Sequence, residues 1–168
     1  MLKRIRKSSV RGARQASIAI IASRYNARFV DGMLRPARAI LTQAGAAVRV
    51  VRVPGAFEIP AVAAKLAAAE GKVSALMCLG VILRGETTHA QHIAEAVSGA
   101  LAQIQVRFAI PVVHEVLLLE SEAQAEARCL AADRNRGAEA AYTALAMVRT
   151  MAQLDRALRR PGSGRDAA

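Results

Sequence analysis

The sequence contains no tryptophan, and aromatic residues fill only 3% of its 168 positions: Tyr25, Phe29, Phe57, Phe108 and Tyr142. A stacking platform for single-stranded nucleic acid needs rings interleaved with basic residues, and this chain has too few. Its two cysteines, Cys78 and Cys129, are too far apart for a CxxC pair and too few for a disulfide framework. No segment reaches the ~20 consecutive apolar residues of a membrane span. The GxxxxGK[ST] spacing of a P-loop is missing. What the chain does have is alanine, 38 residues of 168, within a hydrophobic fraction of 54%. That fraction excludes a disordered chain, and the length suits one domain. A core rich in Ala and poor in rings buries little area per residue, so subunit contacts are expected to add stability, as a homo-oligomer.

Acidic residues are scarce, 13 against 24 Lys and Arg, for a net charge of +11. The excess sits at the ends. Residues 1–14 carry +6 and residues 156–168 carry +3, so the body, 15–155, retains +2 of the +11. This divides the chain into a basic N-terminal tail (1–14), a domain (15–158) and a C-terminal tail (159–168). Nucleic acid is not expected beyond nonspecific tail contacts, and no membrane partner is expected. The Arg-rich, acid-free start shares its composition with organelle transit peptides, but no apolar run precedes Ser17 to make a secretory signal. Cys78 lies in an apolar run, where a buried inert thiol is the usual case. A reducing, cytoplasmic location fits both cysteines.

Short apolar runs alternate with helical stretches. Strands are expected at 17–23, 48–53, 74–80 and 111–119. Helices are expected at 31–44 (ending at Gly45), 59–70 (with Gly71 as C-cap), 89–107, 121–132 and 137–158. In 89–107 the stripe is Ile93, Val97, Leu101 and Ile104. In 137–158 it is Tyr142, Leu145, Val148 and Met151. Near-continuous apolar strands alternating with helices predict an α/β fold with a parallel sheet covered on both faces. Ligands bind such sheets outside the carboxyl ends of the strands. The segments to examine are therefore 23–26, 54–58, 80–89 and the stretch after 119.

In GVILRGETTH (80–89), Gly80 and Gly85 bracket an expected turn, with Glu86, Thr87, Thr88 and His89 at the start of the next helix. Hydroxyls and backbone N–H groups there favour an anion, and a His beside them can carry protons near neutral pH. The bland alternative is a polar turn with a capping Thr. His92 follows His89 by one helical turn, but no third ligand is evident, so no metal is expected. His114 falls in the fourth strand, where a hydrogen-bonded structural His is the ordinary reading. Glu58, in PGAFEIP, is a carboxylate in apolar company that caps a neighbour or receives a ligand's N–H. Tyr25 and Phe57 fall in post-strand loops, which suits a flat ring ligand. Arg128 has the fork to hold a phosphate, or is an ordinary surface helix residue.

SRYN, VVRVPGAFEIP, GVILRGETTH and NRGAEAA, in this order and spacing over residues 15–155, resemble the lumazine synthase family. The resemblance implies a three-layer αβα sandwich of flavodoxin-like type, with a four-stranded parallel sheet in the order 2-1-3-4. It implies condensation of 5-amino-6-(D-ribitylamino)uracil with 3,4-dihydroxy-2-butanone 4-phosphate to 6,7-dimethyl-8-ribityllumazine, releasing phosphate and water, with no cofactor and no metal. It further implies pentamers, in many members closed into a 60-subunit shell, with active sites between adjacent subunits. Position by position, His89 matches the proton-transfer histidine. Tyr25, Asn26, Ala56, Phe57, Glu58, Val81, Ile82 and Leu83 match the pyrimidine and ribityl pocket. Glu86 and Thr87 match the phosphate turn, and Arg128 matches the phosphate-binding arginine.

Five positions depart from the family pattern. Ala90 replaces an aromatic. His114 and Glu115 stand where Phe and Gly are common, and His114 is expected to stack on the ring from a neighbouring subunit. Arg136 replaces a Lys and is a possible auxiliary residue. Pro36 is expected to remove a donor early in the first helix. The substitutions at 90, 114 and 115 motivate an alternative, a weakly active or inactive flavin- or lumazine-binding member of the same fold.

Overall fold

The computed structural model describes residues 16–69 and 71–159. The basic tail 1–14 with Gln15, residues 160–168 and Glu70 lie outside the described residues. Four parallel strands form one sheet: β1 (Ser17–Ser23), β2 (Ala47–Val53), β3 (Ala75–Leu83) and β4 (Val112–Leu119), in the order β2-β1-β3-β4. The helices are α1 (Ala27–Gln43), α2 (Ile59–Ala67), α3 (His89–Phe108), the short α4 (Glu122–Ala125) and α5 (Arg136–Arg159), with a π-helical turn at Glu126–Leu130. This is the expected flavodoxin-like three-layer sandwich with strand order 2-1-3-4.

Alternation along the strands sorts side chains into two cores. Ile18, Ile20, Met77 and Leu79 face α1 and α5, while Ile21, Leu76, Cys78 and Val116 face α2 and α3. Both faces of β1 and β3 are covered, which is why these strands read as unbroken apolar runs. No described helix is long and apolar enough to cross a membrane.

Several boundaries differ from the expectation. Helix α1 starts at Ala27 rather than 31, because Arg24 and Tyr25 N–H groups are tied to the Val53 and Pro54 carbonyls, which turns the chain early. Its end is as read: Gly45 takes φ 83, and the N–H groups of Ala46 and Gly45 donate to the Leu41 and Thr42 carbonyls. The early start puts Pro36 mid-helix. Helix α2 stops at Ala67, and Gly71, at φ 70, lies in the following turn rather than capping the helix. Strand β3 runs to Leu83, because β4 offers Val116–Leu119 as partners, so Gly80 is a buried strand residue and the turn begins only at Arg84. The helix expected at 121–132 is instead one turn of α4, capped by Ser121 Oγ, followed by the π turn.

In α3 the expected stripe is buried at Val97, Leu101 and Ile104, with Ile93 half-buried. The buried face of α5 is smaller than expected: Gly137, Ala140, Ala141 and Ala144 with Leu145, while Tyr142 is half-buried. Small residues let α5 cross α1 closely, and a Cβ on Gly137 would overlap the Met33 backbone. Gly137→Ala is therefore expected to lower stability by about 2 kcal/mol or more, read as a lower urea midpoint with unchanged slope.

Candidate active site

Strand β3 outruns its neighbour. Its pairing with β1 ends at Ala22 opposite Leu79, while its pairing with β4 continues to Leu83 opposite Leu119. Above the end of β1 this leaves a notch, at the β1/β3 switch point where such sheets bind ligands. Backbone polar groups of a parallel strand alternate between its two neighbours. Arg84 N–H donates to the Leu119 carbonyl on the β4 side, so Val81 and Leu83 present their groups to the notch. Asn26, in the left-handed conformation at φ 56, donates from Nδ2 to the Val81 carbonyl at 2.8 Å. Its amide holds the notch wall, and Leu83 keeps the edge that a ring could read.

The post-β2 loop borders the same notch. Tyr25 N–H donates to the Pro54 carbonyl at 3.0 Å. Glu58 caps its own loop, with Oε2 accepting from Gly55 N–H at 2.8 Å. A Cβ on Gly55 would sit 2.9 Å from that oxygen and 3.0 Å from the Tyr25 ring, so only glycine lets ring and carboxylate close over the backbone. Ala56 is buried, but Phe57 and Tyr25 are 60% and 71% exposed. Large rings left in water at the end of a parallel sheet are unusual for a monomer and suit a ligand or a second chain.

Beyond Leu83, Glu86, Thr87, Thr88 and His89 are all exposed. His89 is the first residue of α3, and its N–H donates to Thr87 Oγ1 at 3.4 Å. Thr88 makes no side-chain cap, so this long Thr87 bond is what the segment's own side chains contribute at the anion-favouring end of α3. Arg84 is spent on Glu120, at 2.9 Å, which ties the ends of β3 and β4.

Arg128 and Arg136 lie in the opposite layer. Arg128 is exposed in the π turn, which packs on α1 and α5, whereas His89 belongs to the α2/α3 layer. The sheet separates the two within one chain. His114 is five residues before the carboxyl end of β4, about 16 Å from it along the strand, so it does not reach its own chain's notch. Its Nε2 shares a 2.9 Å hydrogen bond with Ser98 Oγ of α3, the structural pairing expected for such a His.

Arg136 is engaged on both sides. It makes a bidentate pair with the buried Glu115, at 2.9 and 3.0 Å, and a 2.7 Å bond to Glu139. Burial pushes the Glu115 carboxyl above the ordinary carboxylate range, and Arg136 pulls it back only part of the way. Both thiols are buried, Cys78 being pushed up to about 12 and Cys129, with Glu115 near it, to about 11. Neither is a nucleophile at neutral pH. Among the described residues no three His, Cys, Asp or Glu side chains group as metal ligands.

Two residues that the sequence reading did not single out matter here. Ser98 orients His114. Asn135 is buried and bonds four backbone groups, and its place in NRG just before a helix was a cap signal that could have found it.

The Glu115 carboxyl has its pKa raised on folding, so folding takes up a proton between the ordinary and the raised value. Stability is thus greater below that window and falls as pH rises through it. The urea midpoint is expected to show that decline in the wild-type chain, and Glu115→Gln is expected to remove it.

The 6,7-dimethyl-8-ribityllumazine synthase family model matches residues 15–152. A protein of Stenotrophomonas maltophilia bearing that name is 41% identical over 151 residues, covering 88% of this chain and 97% of its own. One from Xanthomonas oryzae pv. oryzae, with the same name, is 42% identical over 139 residues, covering 81% and 90%. The chain belongs to the 6,7-dimethyl-8-ribityllumazine synthase family, enzymes of riboflavin biosynthesis.

Proposed function

We propose that the chain condenses 5-amino-6-(D-ribitylamino)uracil with 3,4-dihydroxy-2-butanone 4-phosphate to 6,7-dimethyl-8-ribityllumazine. The carrying observation is the notch beside β3, with an exposed imidazole at its mouth and two exposed rings on its rim. The pyrimidine lies against Tyr25 and Phe57, its edge read by the backbone of 81–83, with Ala56 and Glu58 along the ribityl chain. The amine attacks the ketone, and His89 moves the proton that lets water leave as the imine forms. Loss of the proton on the hydroxyl-bearing carbon then expels phosphate, the resulting enol tautomerises to a new carbonyl, and the second nitrogen closes on that carbonyl with loss of another water. Glu86, Thr87 and Arg128 hold the phosphate, with Arg136 as an auxiliary charge already shared with Glu115. Orientation and proton transfer suffice for these steps. We take the enzyme to work in the cytoplasm, a reading that the two buried, unpaired thiols support.

The placement of His89 and Arg128 in opposite layers supports a site assembled between copies, one giving the notch and its neighbour giving Arg128 and the ring of His114. Exposed Val106, Leu154 and Leu158 support self-association as a pentamer, with or without closure into a shell.

Turnover of the two substrates, followed by lumazine absorbance, tests the reaction. His89→Ala is expected to lower kcat about 100-fold or more, with pyrimidine binding little changed. Equal loss of both would reduce His89 to a positioning role, and no turnover in the wild-type chain would favour the binding-protein alternative. Arg128→Ala is expected to raise KM for the butanone phosphate about tenfold or more, leaving the other KM in place.

Shared sites give a second expectation. At butanone phosphate concentrations below the raised KM, His89→Ala and Arg128→Ala chains, unfolded together and reassembled, are expected to turn over faster than either does alone. Failure to do so, with native mass showing mixed assemblies, counts against a pocket between copies.

A further inference from the structure

We propose that Asn135 is the positioning residue for Arg128, holding the π turn at the height where its guanidinium meets the substrate phosphate. The inference rests on the reading of Arg128 as a phosphate ligand and goes beyond it.

Arg128 is the middle residue of Glu126–Leu130. In this turn Ala131 N–H reaches back five residues to the Glu126 carbonyl, at 3.1 Å, instead of four. Such turns are rare, and they cluster at functional sites because an extra residue re-aims the side chains that follow. The turn also ends a helix, so its last carbonyls have no partner within it. Asn135 Nδ2 supplies one, donating to the Cys129 carbonyl at 2.6 Å. The other anchors are weaker or non-directional. Glu126 pairs with Arg28 at 2.7 Å, but both are largely exposed. Leu130 and the Cys129 carbonyl press on Gly32, where a Cβ would lie 2.8 Å from that oxygen. Within the turn Glu126 is paired, Cys129 is buried and Leu130 is packed. Arg128 makes no ion pair or hydrogen bond among the described residues. Its side chain is thus presented by a turn whose backbone is fixed chiefly from Asn135.

The same nitrogen has a second acceptor, the Gly32 carbonyl at 3.1 Å. In a regular helix that carbonyl bonds the N–H of residue 36, and residue 36 is proline. The carboxamide oxygen accepts from Gly137 and Ala138 N–H groups, at 3.0 and 3.2 Å, and so caps α5. The two ends of the side chain therefore do separable work. The oxygen starts α5, while the nitrogen sets the π turn against α1.

Asn135→Ser and Asn135→Asp keep an oxygen for the cap and remove both N–H donors. Either is expected to raise KM for the butanone phosphate about tenfold. The KM of the pyrimidine substrate stays in place, and inorganic phosphate weakens in parallel as an inhibitor. In an Arg128→Ala background the same change is expected to add nothing, since its effect passes through Arg128. An equal rise in that background, or none in the wild-type background, overturns the proposal. If Arg128→Ala alone leaves this KM unmoved, the phosphate reading of Arg128 fails instead, and the proposal goes with it. Pro36→Ala guards against loss of folding. It gives the Gly32 carbonyl a donor within α1, so Pro36→Ala/Asn135→Ser is expected to regain stability without regaining KM. Recovery of KM by Pro36→Ala shows a merely structural role and overturns the proposal.

Discussion

One carboxamide, that of Asn135, joins three segments that the strand–helix alternation leaves loosely tied. It bonds α1 at Gly32, the π turn at Cys129 and the start of α5 at Gly137 and Ala138. A buried polar group is tolerated only when its donors and acceptors are met, and here all of them are. No buried side-chain nitrogen or oxygen among the described residues lacks a partner. The close crossing of α1 and α5 depends on this knot, because Gly137 can lie on Met33 only if α5 begins where Asn135 starts it. An alanine-rich core gains little from each side chain. It gains more when backbones approach, and polar groups such as this one fix where they approach.

The parallel sheet imposes the second constraint. Every crossover brings the chain back so that all four strands end on the same side, which gathers the functional loops there. It also divides them. Helices α2 and α3 stay in one layer and α1 and α5 in the other, while the loops entering α1 and α2 meet at the notch. The imidazole of His89 and the guanidinium of Arg128 fall on different sides of that division. If the two act on one substrate, as proposed, they do so across a boundary between copies. The exposed rings of Tyr25 and Phe57 are understandable on the same terms, since their apolar faces await a ligand or a neighbour.

Strands β1 and β3 were legible because burial on both faces demands unbroken apolar runs. The layering followed from the alternation with helices. Helix starts were less legible where tertiary bonds decide them. Asn26 has the chemistry of a helix cap, yet it spends its amide on Val81, 55 residues away. The end of β3 was misplaced because Gly80 and Gly85 read as turn punctuation, whereas the partner strand β4 carries β3 on to Leu83. The π turn was not legible at all, because SEAQAEARCL has the pattern of an ordinary helix. Asn135 ties the turn's Cys129 carbonyl to Gly32 of α1, and that contact between distant segments is one that no local pattern reports. In the candidate site, the motifs pointed to His89, Tyr25 and Glu58, which the structure places at the ends of the strands. That the sheet stands between His89 and Arg128 emerged only from the topology.

Glu115 and Arg136 looked like two separate departures from the family pattern, and the structure makes them one. A carboxylate inside β4, facing the α1/α5 layer, is costly unless a cation reaches it. The planar fork of arginine meets both carboxylate oxygens at once, at 2.9 and 3.0 Å, and spares a third nitrogen for Glu139. An ammonium is a point charge on a flexible stem and does not offer that bidentate fit. Arginine at 136 is therefore what Glu115 requires, and its charge is largely compensated before any substrate arrives. In this chain the uncompensated cation of that layer's π turn is Arg128, so in the proposed reaction phosphate recognition would concentrate on the residue whose turn Asn135 anchors.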